Sequence, residues 1–128
     1  MCTSVVNPPD TVSEPTVNYN TYLGKYILVG STAWGGPTEF VCGYGYSLSP
    51  DLIHWTPKRL LRPAKTYGLS GCWPPESTTK AYPSIIDHND TTVNFERSGQ
   101  TPYLYFTRFN NPYLDRDLVR VPMTITAH

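Results

Sequence analysis

No stretch of this 128-residue chain approaches the roughly 20 consecutive apolar residues of a membrane-spanning helix. The opening Met1-Cys2-Thr3-Ser4 also lacks the charged start and apolar middle of a secretory signal, so no export signal is expected. Runs of Lys or Arg are missing too. Ten basic and ten acidic side chains cancel, which removes the electrostatic footprint of a nucleic-acid or anionic-membrane binder. Cysteine is scarce: Cys2, Cys42 and Cys72 lack metal-ligand spacing, so neither a zinc site nor another metal is expected. Cys42 and Cys72 read either as a bridge, which suits a secreted protein, or as two half-buried free thiols. The compartment stays open, leaning towards secreted or extracytoplasmic. His54 and His88 are isolated, and the Ser, His and Asp residues are too scattered to recommend an acyl-transfer triad. No cofactor is expected.

What the chain has in quantity is turn formers and aromatics. Thirteen Pro and nine Gly stand beside ten Tyr, three Trp and four Phe, a composition that favours strands and tight turns and points to an all-β class. The sequence also repeats itself. Pro15-Thr16-Val17-Asn18-Tyr19, a Gly turn and Tyr26-Ile27-Leu28-Val29 are echoed by Pro83-Ser84-Ile85-Ile86-Asp87, a polar loop and Tyr103-Leu104-Tyr105-Phe106. Pro15 to Asp51 spans 36 residues and Pro83 to Asp117 spans 34, so Asp51 and Asp117 read as structural turn residues at equivalent corners. Self-similarity at this period implies small antiparallel sheets repeated radially, because one such sheet cannot bury both faces alone. Two repeats are too few to close a ring, so the expectation is a pair of four-stranded-type blades that form part of a larger propeller or complete one by oligomerising.

Along the chain, residues 1–12 read as an extended arm or a remnant of a preceding blade, since Asn7-Pro8-Pro9 excludes helix. The first blade is expected over 13–66, a connecting loop over 67–80 and the second blade over 81–128. In the first, Pro15 to Asn20 and Tyr26 to Gly30 are strands; the latter is apolar on both faces and so is covered on both sides. Residues 31–40 are expected to form a loop carrying Trp34. A Gly- and Tyr-alternating strand follows over Val41 to Ser47, and then a Ser49-Pro50-Asp51 turn anchored in the core by Leu52 and Trp55. The second blade has strands over Ala81 to Asp87, Tyr103 to Phe109 and Leu118 to Thr126, with a polar turn from Asn89 to Thr101 that contains the sequon Asn89-Asp90-Thr91. Its missing last strand is a place for Cys2 to Val6.

Three stretches carry a family resemblance: Glu14-Pro15-Thr16-Val17, Gly24-Lys25-Tyr26-Ile27-Leu28-Val29, and Gly45-Tyr46-Ser47-Leu48-Ser49-Pro50-Asp51-Leu52-Ile53-His54-Trp55. With Tyr82-Pro83-Ser84-Ile85-Ile86-Asp87 and Pro102-Tyr103-Leu104-Tyr105-Phe106, the chain resembles two consecutive blades of the five-bladed β-propeller glycoside hydrolases. That is the fold of glycoside hydrolase family 43 and its relatives, which act on arabinose-, xylose- or fructose-containing glycans. The resemblance implies a carbohydrate ligand and a funnel where carboxylates from different inner strands flank a glycosidic bond. By that resemblance Glu14 is the candidate acid and Asp87 a second candidate, while Trp34, Tyr67 and Trp73 are loop aromatics for stacking on sugar. One carboxylate cannot do both jobs of hydrolysis. The chain therefore reads as an incomplete enzyme unit, with a sugar-binding lectin-like ring or an inactive scaffold as alternatives.

Overall fold

The computed structural model describes residues 12–35, 40–66, 72–73, 78–110 and 115–127, with the backbone alone at Phe40, Cys72 and Trp73. The protein is all-β, with no helix among the described residues. Its strands are β1 (Ser13–Asn20), β2 (Lys25–Gly35), β3 (Phe40–Ser49), β4 (Arg59–Pro63), β5 (Cys72–Trp73), β6 (Thr79–Ile86), β7 (Arg97–Ser98), β8 (Tyr103–Phe109) and β9 (Arg116–Pro122). They form two sheets: β4-β3-β2-β1-β7, with β5 also on β3, and β6-β8-β9.

Each sheet grows from one antiparallel hairpin, and the repeat seen in the sequence sets both. Glu14 and Tyr82 each precede a proline, each has a positive φ (54° and 56°), and each sits in a register shift, between Ser13 and Thr16 in β1 and between Ala81 and Ser84 in β6. Every one of these positions is displaced by the same 68 residues. A bulge turns the strand and re-aims its side chains, and the conserved device here starts both inner strands in the same way.

Strands β1 and β2 join through a turn at Gly24, whose φ of +64° suits a residue without Cβ, and the Asn20 side chain accepts the Leu23 N–H at 2.8 Å to close it. The run Ile27 to Gly30 is buried on both faces, as its sequence requires. Ile27, Val29 and Tyr44 of the first sheet pack on Ile85, Leu104 and Phe106 of the second, with the Tyr44 and Phe106 rings 5.5 Å apart. Full burial of side chains of this kind contributes about 1.5–3 kcal/mol each, so this face-to-face core is what holds the sheets together. Gly43 and Gly45 permit close approach: a Cβ on Gly43 would lie 2.3 Å from the Arg62 carbonyl oxygen, and one on Gly45 2.7 Å from Thr32 Cγ2.

Several expectations need correction. Residues 31–40 are not one loop: β2 runs on to Gly35 and β3 begins at Phe40, so Trp34 lies in a strand, opposite Val41. Ladder hydrogen bonds along a paired strand outweigh the local flexibility of Gly35. The connection over 67–80 carries β5, which pairs in parallel with β3, and its end from Thr79 already belongs to β6. The polar turn from Asn89 to Thr101 contains β7, which pairs in parallel with β1 and so stitches the second repeat to the first. The last strand begins at Arg116 and ends at Pro122. Beyond it, Met123 and Ile125 donate backbone bonds to Pro102 and Gln100, at 2.9 and 2.8 Å.

Asp51 and Asp117 are not equivalent. Asp117 lies inside β9, opposite Arg108, whereas Asp51 lies in the turn that follows β3. Leu52 does not anchor its turn in the core; it is 44% exposed, at a φ of +66°. Cys42 is fully buried and disulfide-bonded, not a half-buried free thiol. The arm over 1–11, including Cys2 to Val6, lies outside the described residues.

Candidate functional site

The two bulges meet where the inner strands begin. Because Glu14 is left-handed and Pro15 follows, its side chain is turned out of the β1 ladder and crosses to the other sheet. Glu14 Oε2 accepts the backbone N–H of Tyr82 at 3.0 Å and the Ser31 hydroxyl at 3.2 Å. Thr16 makes the neighbouring link, donating to the Pro83 carbonyl at 3.1 Å. One oxygen of the candidate acid is thus committed to a contact that ties the two sheets together. Among the described residues Oε1 has no protein partner, and Tyr82, whose N–H binds Oε2, is itself 51% exposed. The Tyr82 ring lies 6.5 Å from that of Phe109, which in turn carries the Arg116 guanidinium 4.8 Å above it. The junction thus holds a carboxylate on the Tyr82 backbone, and the half-exposed Tyr82 ring offers a flat apolar face of the kind a sugar stacks on.

Asp87 lies elsewhere. It follows β6, five residues beyond Tyr82, which is about 16 Å of extended strand. Its Oδ1 accepts the Asn89 N–H at 2.9 Å and its Oδ2 the Gly99 N–H at 2.7 Å, so the carboxylate closes the base of the polar turn. It borders a polar hollow of about 330 Å³, together with Thr21, Asp90, Arg97 and Gln100. The turn is tied to β1 by Asn20, whose Nδ2 donates to Ser98 Oγ at 3.0 Å and to the Gly99 carbonyl at 2.7 Å, and by the Ser98 to Asn18 side-chain bond. These contacts make Asp87 a scaffold residue.

Trp34 is held against the sheet. A Cβ on Gly45 would come within 3.0 Å of its ring, and Lys58 sits over the ring at 5.1 Å while donating to Thr32 Oγ1 at 2.7 Å and to the Ala33 carbonyl at 3.2 Å. Its platform is covered by a cation of the same chain. Tyr67 and the Trp73 side chain lie outside the described residues; the Trp73 backbone pairs with Val41. Glu14, Asp87 and Trp34 are thus not brought together.

The remaining carboxylates serve local structure. Asp51 is held well below the ordinary carboxylate range by the His54 N–H first, then by the His54 ring and the Ile53 N–H. The Thr92 hydroxyl lowers Asp90, and the Asn110 amide followed by the Arg108 guanidinium lowers Asp117. Among the described residues no group of His, Cys, Asp and Glu is arranged to hold a metal ion.

Tyr82 is the residue that sequence reasoning passed over. Its signal was present, because it occupies in the second repeat the position that Glu14 occupies in the first. No protein-family model, curated protein or solved structure matches this chain.

Proposed function

We propose that this chain is a carbohydrate-binding unit built from two propeller-type repeats of the glycoside hydrolase family 43 kind, which binds arabinose-, xylose- or fructose-containing glycans without hydrolysing them by itself. The observation that carries this reading is the junction of the two bulges, where the Glu14 carboxylate accepts the Tyr82 N–H and the Tyr82 ring is half-exposed. Hydrolysis needs two carboxylates about 5–10 Å apart across the bond to be broken. Both Asp87 oxygens are already engaged by backbone N–H groups, which argues against Asp87 as the second of such a pair. The disulfide at Cys42 supports an oxidising compartment, where such glycans are met.

The test is calorimetric titration of arabino- and xylo-oligosaccharides into the protein, with release of reducing sugar followed in parallel. Binding without release, weakened by Tyr82→Ala, is the expected result. Sugar release that disappears in a folded Glu14→Gln variant would show an enzyme instead. A second reading, a ring completed by several copies, is favoured by the open edge of β9, whose ladder is unpaired on its outer side among the described residues. Light scattering on a sizing column separates the two: a single defined oligomer supports the ring, a monomer the single unit.

A further inference from the structure

The two faces of the β6-β8-β9 sheet differ in chemistry. Leu104, Phe106, Val119 and Val121 belong to the core side, so strand alternation puts Tyr103, Tyr105, Leu118 and Arg120 on the opposite, open side. That side is unsuited to a second apolar core. Arg120 is exposed, and packing another sheet over it would strip water from a guanidinium that no carboxylate neutralises among the described residues. The one aspartate of β9, Asp117, lies on the alternate side and is paired with Arg108 at 2.7 Å.

The polar groups on this face are held against its tyrosines. The Arg120 guanidinium lies 4.9 Å over the Tyr103 ring, and Arg120 stands opposite Tyr105 across the β8–β9 ladder. The His88 ring stacks on Tyr103 at 4.6 Å, and its Nε2 is 2.7 Å from the same Tyr105 hydroxyl. With Tyr105 donating to His88 Nε2, the ring proton of His88 sits on Nδ1, and the exposed Arg120 side chain keeps its N–H fork for a ligand. Two donors fixed by one tyrosine pair lose little rotamer freedom on binding, and a guanidinium fork matches a carboxylate bidentately.

We infer that this open face binds an acidic oligosaccharide, with a uronate carboxylate held by Arg120 and His88. The inference rests on the carbohydrate reading and adds the class of sugar. From Phe109, beside Tyr82, to Tyr103 the β8 backbone covers about 20 Å, which is the reach of an oligosaccharide and not of a single sugar. A chain lying along β8 meets the Tyr82 ring at one end and the Arg120–His88 pair at the other.

Calorimetry with an oligogalacturonate and a neutral xylo-oligosaccharide of equal length tests this on the whole chain. The uronate is expected to bind about tenfold or more tightly than the neutral sugar at low salt, with an advantage that shrinks as salt is added. Arg120→Ala removes the advantage, Arg120→Lys recovers only part of it, and Tyr82→Ala leaves the ratio unchanged while weakening both. Circular dichroism checks that the variants remain folded, as expected for an exposed position. Equal binding of the two sugars, or a preference that survives Arg120→Ala in a folded protein, would overturn the inference and leave the carbohydrate reading standing. Tighter binding of a sulfated oligosaccharide or of single-stranded DNA would also overturn it. Binding of no oligosaccharide at all would remove both.

Discussion

The bridge from Glu14 to Tyr82 makes a prediction that separates a side-chain contribution from a backbone one. Removing the carboxylate in Glu14→Ala leaves the Tyr82 N–H and the Ser31 hydroxyl without the acceptor they have at 3.0 and 3.2 Å. A hydrogen bond to a charged group is worth about 1.5–3 kcal/mol, and partial exposure of Glu14 lowers this to about 1–2 kcal/mol. For a domain of this size that corresponds to a fall in Tm of roughly 3–8 °C. Glu14→Gln keeps an acceptor of the same shape and should fall by less than half as much. The φ of 54° adds a second effect. A left-handed residue with a Cβ costs about 1–2 kcal/mol, and Pro15 crowds the backbone of the residue before it, so Glu14→Gly loses the bridge but relieves that strain. The expected order of stability is wild type, Gln, Gly, Ala, measured by thermal and urea unfolding with unchanged m-values. An alanine variant as stable as the wild type would refute the bridge, and a glycine variant no better than alanine would refute the strained backbone.

Other perturbations reach different parts of the fold. Gly43→Ala places a Cβ 2.3 Å from the Arg62 carbonyl oxygen and 3.0 Å from Pro63 Cα, so β4 must move; a loss of about 1–3 kcal/mol in urea unfolding is expected, while Gly24→Ala meets no atom and suffers only from its φ of +64°. Asp51, Asp90 and Asp117 all have folded pKa values below their unfolded ones, so each contributes stability that is fully present above about pH 4 and is lost as the pH falls through the folded value. NMR titration should find Asp51 the most acid of the three, and His54→Ala should bring it back towards the ordinary range. Cys42 should resist alkylation until a reductant is added, with peptide mapping showing it joined to Cys2 or Cys72; reduction should cost about 2–4 kcal/mol. Recovery of Cys42 as a free thiol from protein made in an oxidising compartment would contradict the bond.

The sequence by itself determined the all-β class, the hairpin strands and the existence of a repeat. Those features depend on local steric preferences and on period-2 patterning: Ile27 to Gly30, apolar on both faces, read as a strand covered on both sides, whereas the bulges at Glu14 and Tyr82 emerged only from the strand registers. It even carried Glu14 and Tyr82 as equivalent positions, although it did not say that they touch. What the tertiary structure decided was pairing across long separations. Trp34 reads as a loop residue until β3 is seen to run beside it, because a strand's hydrogen-bonding partner is invisible to its own residues. The same holds for β5 on β3 and β7 on β1, two-residue strands too short to have a pattern of their own. Asp51 and Asp117 resembled one another through their neighbours in the chain, yet Asp117 lies inside β9 and Asp51 in the turn that follows β3. The fate of each candidate carboxylate was likewise a matter of neighbours distant in sequence: Glu14 is bound by Tyr82 and Asp87 by Gly99, because a charged oxygen is claimed by whichever N–H the fold brings within reach.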